Sequence, residues 1–433
     1  MHRLLRYLIP LIAVLGLVGC SANPFAFSRA TASQAQDVRS DQQRATPPQT
    51  PPSDLGELVQ GNSAFAFDLY HLLRQDQDNL FYSPYSISLA LAMTYAGART
   101  ETAEQMAQAL HFSLDQDRLH PAFNALDALL ASRGQGAQGK DGQGFRLHIA
   151  NALWGQQDYT FRPAFLDLLA EHYGAGLRLL DFRQTEQARQ TINQWVAEQT
   201  EDRIQDLLPK GSLNSLTRLV LTNAIYFNAA WEHPFEIEFT QDGAFHLLDG
   251  SVITVPMMRQ GEYLYYTEGE DYQAIELPYD GGELSMVILL PQSGRFAAFE
   301  ERMDIARVQA ILSEMQQDLV ALTMPRFKVE SGMSLADALS ALGMTTAFKG
   351  DADFSGMADT RDLLFIGDVV HKAFVTVDEA GTEAAAATAV RMAGGAPRDP
   401  YQMTIDRPFI FLIRDIQTGT ILFVGRVLNP SSR

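Results

Sequence analysis

The chain has 433 residues, a net charge of −19 and a hydrophobic content of 46%. These values suit a globular protein of one large domain or two average ones. The acidic balance argues against a nucleic-acid partner, which needs a basic face, and otherwise speaks only for solubility.

The first segment, 1–19, reads as a signal peptide. Arg3 and Arg6 precede an apolar run over 8–18 that Pro10 interrupts. The run is too short for a comfortable membrane span. It ends in Leu17-Val18-Gly19-Cys20, which resembles the lipobox of bacterial lipoproteins. That resemblance implies a cut before Cys20 and acylation of its thiol and new N-terminus. The acyl chains would then hold the protein on a bacterial membrane or cell surface, outside the cytoplasm. An ordinary secretory signal that happens to contain a cysteine is the alternative. Cys20 is the only cysteine, so an acylated mature chain has no disulfide and no cysteine nucleophile. Residues 20–54 are rich in Pro, Ser and Gln and close on Thr46-Pro47-Pro48-Gln49-Thr50-Pro51-Pro52. They read as a lipidated, disordered spacer, because few large apolar side chains are present to bury.

From residue 55 to 433 the pattern is continuously globular, without a second linker or a repeat. Helical spacing appears over 55–73, 86–98, 103–110 and 187–208. Strands are expected over 146–154, 219–227, 273–277, 284–290, 319–329, 373–377, 403–414 and 420–428. Helices crowd the first half and strands the second, which indicates an α+β fold.

Catalytic signatures do not emerge. There is no G-x-S-x-G elbow, no H-E-x-x-H and no His pair at metal spacing among the nine histidines. Residues 134–140 approach a phosphate loop, but Asp141 stands where Ser or Thr should hold magnesium. Asp351-Ala352-Asp353-Phe354-Ser355-Gly356 mimics a calcium loop, yet Phe354 and Met357 read as packing residues. Trp195 and Trp231 read as core residues too. No metal and no cofactor is expected, and the chain is not read as an enzyme.

The unusual stretch is Asp378-Glu379-Ala380-Gly381-Thr382-Glu383-Ala384-Ala385-Ala386-Ala387-Thr388-Ala389-Val390. Thr382 could cap an alanine helix. A period-two reading instead puts Thr382, Ala384, Ala386 and Thr388 on one small, uncharged face, with Glu383, Ala385 and Ala387 opposite. Such a face could slide into a sheet interior. Gly381 frees the backbone to turn there, and the Gly- and Pro-rich run 392–400 beyond it has a cleavable character. Local propensity leaves both readings open.

Over 55–433 the chain is similar to the serpins. The hinge segment 379–388 resembles the family's E-x-G-T-E-A-A-A-A-T pattern. The run Ile405-Asp406-Arg407-Pro408-Phe409 resembles its signature, and Leu422-Phe423-Val424-Gly425-Arg426 its C-terminal strand. Asn79-Leu80-Phe81-Tyr82-Ser83-Pro84 and Leu221-Thr222-Asn223-Ala224-Ile225-Tyr226-Phe227 resemble the starts of its central helix and third main-sheet strand.

The resemblance implies three β-sheets, about nine α-helices and an exposed reactive-centre loop. It implies an inhibitor of serine endopeptidases, or of a cysteine peptidase, that acts as a suicide substrate and as a monomer. Ser83, Ser86, Asn223 and His371 would form a shutter controlling the sheet. Trp231 would mark the breach, where Glu379 would meet Arg326 in an exposed pair. Counting along the loop puts the cleaved bond at Gly395-Ala396 from one end and near Pro397-Arg398 from the other. A non-inhibitory serpin acting as a binding or structural surface lipoprotein is the alternative.

Overall fold

Residues 35–46, 50–74, 78–135, 137, 146–359, 364–382 and 399–432 are described by the computed structural model. Nine α-helices occur among them. They are α1 (Pro52–Leu73), α2 (Pro84–Tyr95), α3 (Thr100–Ala109), α4 (Gln116–Ala131), α5 (Pro163–Tyr173), α6 (Thr185–Gln199), α7 (Phe296–Glu301), α8 (Ile305–Glu314) and α9 (Ala336–Ala341). Local chemistry starts them. α1, α2 and α5 open on proline, whose fixed φ suits the first turn. Ser83, Asp115 and Asp304 cap α2, α4 and α8 by accepting a backbone N–H three residues on. Every residue of α2 is buried, so this helix runs through the interior.

The strands form two sheets. The main sheet has seven, in spatial order β1 (Gln36–Val38), β4 (Leu177–Leu180), β3 (Arg146–Gln156), β5 (Leu219–Ala230), β13 (Gly381–Thr382), β12 (Ile366–Asp378) and β11 (Phe327–Ser334). The other has nine. Its order is β14 (Tyr401–Thr404), β10 (Gln316–Pro325), β7 (Val252–Glu268), β8 (Tyr272–Pro278), β9 (Leu284–Pro291), β15 (Phe409–Asp415), β16 (Ile421–Val427) and β2 (Leu80–Tyr82), with β6 (Gln241–His246) attached to β7. Three sheets were expected, and among the described residues the strands join into two. The 17-residue β7 pairs with β6 and β10 along most of its length and with β8 over its last four residues, so two smaller sheets are continuous through it. The two layers meet through aromatic rings. Phe81 stacks on Phe411 and Phe423, and Phe423 lies 5.6 Å from Phe227 of β5.

Four segments depart from the sequence expectation. The strand expected over 319–329 is two strands in different sheets. Pro325 has no N–H to donate and ends β10; the Arg326 N–H still bonds Pro256 O of β7 at 3.0 Å, and the chain enters the main sheet at Phe327. The strand expected over 403–414 breaks likewise before Pro408 into β14 and β15. The helix expected over 187–208 ends at Gln199, because Glu201 and Asp202 take positive φ of 51° and 60°. Ile204, Leu207 and Leu208 stay buried, but from a loop.

Part of the expected disordered spacer, 20–54, is built into the domain. Gln36–Val38 pairs antiparallel with β4, and α1 starts at Pro52. The edge of β4 offers backbone groups that a short strand satisfies with little apolar payload, Val38 alone of its three residues packing against the core.

Candidate functional site

β5 and β12 run parallel and are paired from Leu219 and Ile366 to Tyr226 and Phe374. Beyond that they part, and β13 occupies the gap. Gly381 pairs with Ala230 and Asp378, and Thr382 with Ala229 and Val377. Thr382 is therefore extended within a sheet, and the residues that a helix capped by it would contain lie outside the described residues. Its hydroxyl meets the buried Tyr279 hydroxyl at 2.8 Å. Burial pushes the Tyr279 phenol well above its ordinary range. Gly381 sits at φ 152°, and a β-carbon there would lie 2.2 Å from Ala229 O. Only glycine brings the backbone this close to β5.

The turn before β13 is held by several groups. Trp231, at the end of β5, stacks on Tyr279 at 4.7 Å. Its indole N–H donates to Asp378 O at 3.0 Å, and its backbone N–H to Ala380 O at 2.9 Å. Arg326 donates from Nε to the Glu379 carboxylate at 2.7 Å, and Thr240 donates its hydroxyl to the same oxygen. Burial pushes the Glu379 carboxyl up, but the bonds from Arg326 and Thr240 outweigh it and hold the group below its usual range. The pair was expected to be exposed. Instead Glu379 is 4% exposed while Arg326 reaches outward, because the turn folds the carboxylate under the Trp231–Phe235 segment.

A polar row crosses the centre of the main sheet. Asn151 on β3, Asn223 on β5 and His371 on β12 are successive register partners. Ser83 N–H donates to His371 Nε2 at 3.2 Å, so the neutral ring carries its proton on Nδ1, which donates to the Asn223 side-chain oxygen. Asn223 Nδ2 donates to Ser86 Oγ at 2.5 Å and to the Asn151 oxygen. Asn151 returns a bond from Nδ2 to Ser86 O at 3.2 Å. His371 is fully buried, and burial lowers its pKa to about 3. The four expected residues Ser83, Ser86, Asn223 and His371 thus form one connected network.

Comparison with known proteins decides the family. The model described as "Serpin (serine protease inhibitor)" matches residues 60–430. The chain belongs to the serpin family. It is 43% identical to an uncharacterised serpin-like protein of Thermococcus kodakarensis, over 86% of each chain. It is 40% identical to leukocyte elastase inhibitor A of Rattus norvegicus, over 86% of this chain and all of that one. Among solved structures it resembles the native state of the thermophilic serpin tengpin, with a TM-score of 0.79 and 28% identity, over 92% of this chain and all of that one.

In this serpin the expected hinge residues Glu383, Ala384, Ala385, Ala386, Ala387 and Thr388 lie outside the described residues. So do the expected bond Gly395-Ala396 and the expected lipid site Cys20. The sequence reading missed Asn151, Tyr279 and Thr240. A mid-strand asparagine among apolar neighbours, as in Ile149-Ala150-Asn151-Ala152-Leu153, was the available signal for the first. Tyr279 and Thr240 reach the site only through tertiary folding. Among the described residues no cluster of three or more His, Cys, Asp or Glu is placed to hold a metal. Asp353 of the calcium-like stretch bonds Ser355 N–H and the Thr100 hydroxyl, and Phe354 and Met357 are buried.

Proposed function

We propose that this serpin is a single-use trap for a serine-type endopeptidase, driven by insertion of residues 383–388 and beyond into the main sheet between β5 and β12. The observation that carries this reading is β13. Two hinge residues already lie between β5 and β12, antiparallel to both, and the alternation from Thr382 through Ala384, Ala386 and Thr388 continues with small side chains. Below Thr382 lies the β5–β12 ladder that a longer insert would have to open.

In this mechanism the peptidase serine attacks a carbonyl in the 392–398 stretch, with Gly395-Ala396 the proposed bond. The C–N bond breaks, the new amine leaves, and an ester joins the enzyme to the upstream half. That half then adds as a strand. Each new ladder hydrogen bond contributes roughly 1 kcal/mol, so about ten residues supply enough to drag the enzyme along. Distorting the enzyme's oxyanion hole removes about 3–4 kcal/mol of transition-state stabilisation per lost donor, so the ester persists. The uninserted form is then a kinetic trap above the inserted one. Acylation of Cys20 would place the trap on a membrane surface outside the cytoplasm.

The test is a panel of serine and cysteine peptidases. SDS-resistant complexes are expected, with a large rise in melting temperature once the loop is cut. Cleavage with neither complex nor rise would end this reading in favour of a non-inhibitory surface lipoprotein.

A further inference from the structure

Among the described residues the main sheet ends on β11, whose strand neighbour is β12. Register and one hydrogen bond fix which backbone groups that neighbour uses. Leu335 N–H donates to Val369 O at 2.9 Å, so the pairs Met333–His371, Ser331–Ala373 and Val329–Val375, of the same parity, are the hydrogen-bonded ones. The N–H and C=O groups of Lys328, Glu330 and Gly332 therefore point away from β12. Arg326, of that second parity, shows the direction, because its N–H leaves β12 and reaches Pro256 O. No described strand pairs with the outward groups of Lys328, Glu330 and Gly332.

A cavity of about 330 Å³ opens on this edge. Residues 329–333 form one wall, and Leu73, Asp78, Asn79, Arg426 and Ser432 stand in the other. Most polar side chains of that far wall are already bonded within the protein. Asn79 donates to Asn429 O and Ser432 and accepts from the N–H groups of Leu428 and Asn429, while Arg426 donates to Asp78 O and Glu300. The exposed Asp78 carboxylate differs, having no ion pair or hydrogen bond among the described residues. Lysines that could guard the edge are turned onto the outer face of the sheet. Lys328 lies over the Phe374 ring, and Lys372 meets Glu330 and Gln205 O. Gly332 has no side chain to close the cavity. A second cavity of about 310 Å³ shares Asp78, Asn79 and Ser432 and adds Leu247, Leu248 and Leu428.

We propose that this edge is a docking site for an extended, cationic peptide segment of a partner protein, which adds to β11 as an outer strand. Outward N–H and C=O groups recurring every second residue, about 6.8 Å apart, are what an extended backbone pairs with. The unpaired Asp78 on the facing wall fits a Lys or Arg side chain, and the leucine-lined cavity beside it fits an apolar neighbour. The chain's net charge of −19 attracts such a segment and repels an acidic one. β12 separates this edge from the gap that β13 enters, so the site is distinct from the hinge and does not depend on loop insertion.

The probe is a labelled Lys-Val-Lys-Val-Lys-Val peptide, followed by fluorescence anisotropy on the full chain. It should bind, and its Glu-Val counterpart should not. Methylating one alternate set of its backbone nitrogens should abolish binding while methylating the other set is tolerated, because a strand at an edge pairs on one side only. Hydrogen exchange should show new protection at the Glu330 and Gly332 amides. Asp78→Lys should weaken binding about tenfold or more. Gly332→Pro should weaken it about tenfold as well, by removing an outward N–H that the β11–β12 ladder does not use. If that variant fails to fold, the methylated peptides and the exchange pattern decide. Absent binding, equal binding of the acidic peptide, or protection of β5 and β12 amides in place of those of β11 overturns the site. Protection of Glu330 and Gly332 that grows with protein concentration and needs no peptide assigns the edge to a second copy of the chain, and overturns the cationic partner.

Discussion

His371 and Asn223, both fully buried, face each other as register partners across the β12–β5 seam, and their side chains are hydrogen-bonded. The ring is held neutral, because burial lowers its pKa to about 3. In the unfolded chain the same group titrates near 6.5. The unfolded state therefore binds more protons between these values, so stability is complete above about pH 6.5 and falls as pH drops toward 3. His120, also buried with a pKa lowered to about 3, acts in the same direction. Between pH 6.5 and 5 each group should remove about 1.5–2 kcal/mol of native stability. Carboxylates barely titrate in that window, so the histidines dominate it. Urea unfolding should show the slope, and His371→Gln should roughly halve it. A slope unaltered in that variant would remove His371 from the account.

The hinge pair gives a second expectation. Arg326→Gln leaves the Glu379 carboxylate in its buried turn with Thr240 as its remaining side-chain donor. The native state should lose about 1–2 kcal/mol, the cost of stranding one partner of a bonded pair. Adding Glu379→Gln should recover part of that loss, since neither group is then an uncompensated charge. Unfolding midpoints of the two single variants and the double variant measure the coupling. Strict additivity would mean that the pair contributes nothing.

Gly381→Ala bears on trapping itself. Its β-carbon would overlap Ala229 O and crowd the Ala230 backbone, and its φ of 152° suits glycine. The first rung of the insert should be lost, at a cost of about 1–3 kcal/mol typical of overpacking. Insertion competes with release of the cleaved loop, so more inhibitor should be consumed per enzyme trapped, by roughly five- to a hundredfold. Titration of a trapped peptidase reads this ratio directly. An unchanged ratio would place the commitment step below Thr382.

Much of this was legible before folding. The α+β class, the central helix after Ser83 and the glycine at the hinge each follow from local chemistry. Period-two alternation at 382–388 was equally visible, but a helix cap at Thr382 was locally as good. The sheet gap in which Gly381 and Thr382 pair is a tertiary fact that neither local reading contains. The split at Pro325 was readable from the proline alone, while the sheet change it serves was not. Residues 35–46 were misread for a different reason. Composition registers how little apolar surface they can bury, whereas their attachment uses backbone pairing and the polar side chains of Asp37, Ser40 and Arg44. Asn151 was passed over because a lone strand asparagine has no partner in one dimension.

Asn151 also separates two kinds of polar contact. It bonds Asn223 on the β3–β5 side of the seam and Ser86 of α2, whereas His371 bonds Asn223 across the seam. Insertion between β5 and β12 pulls His371 from Asn223 but carries Asn151 and Asn223 along together. Asn151→Ala strips buried donors and acceptors of a partner, which costs about 1–3 kcal/mol. That cost should appear equally in the native and the loop-cleaved forms, leaving the rate of insertion nearly unchanged. Asn223→Ala removes the bond across the seam as well, so its cost should be larger in the native form and insertion should accelerate. Melting of both forms of both variants, with insertion followed by the tryptophan signal of Trp231, measures the contrast. If Asn151→Ala speeds insertion as much as Asn223→Ala does, the network acts as one block and the seam is not its point of rupture.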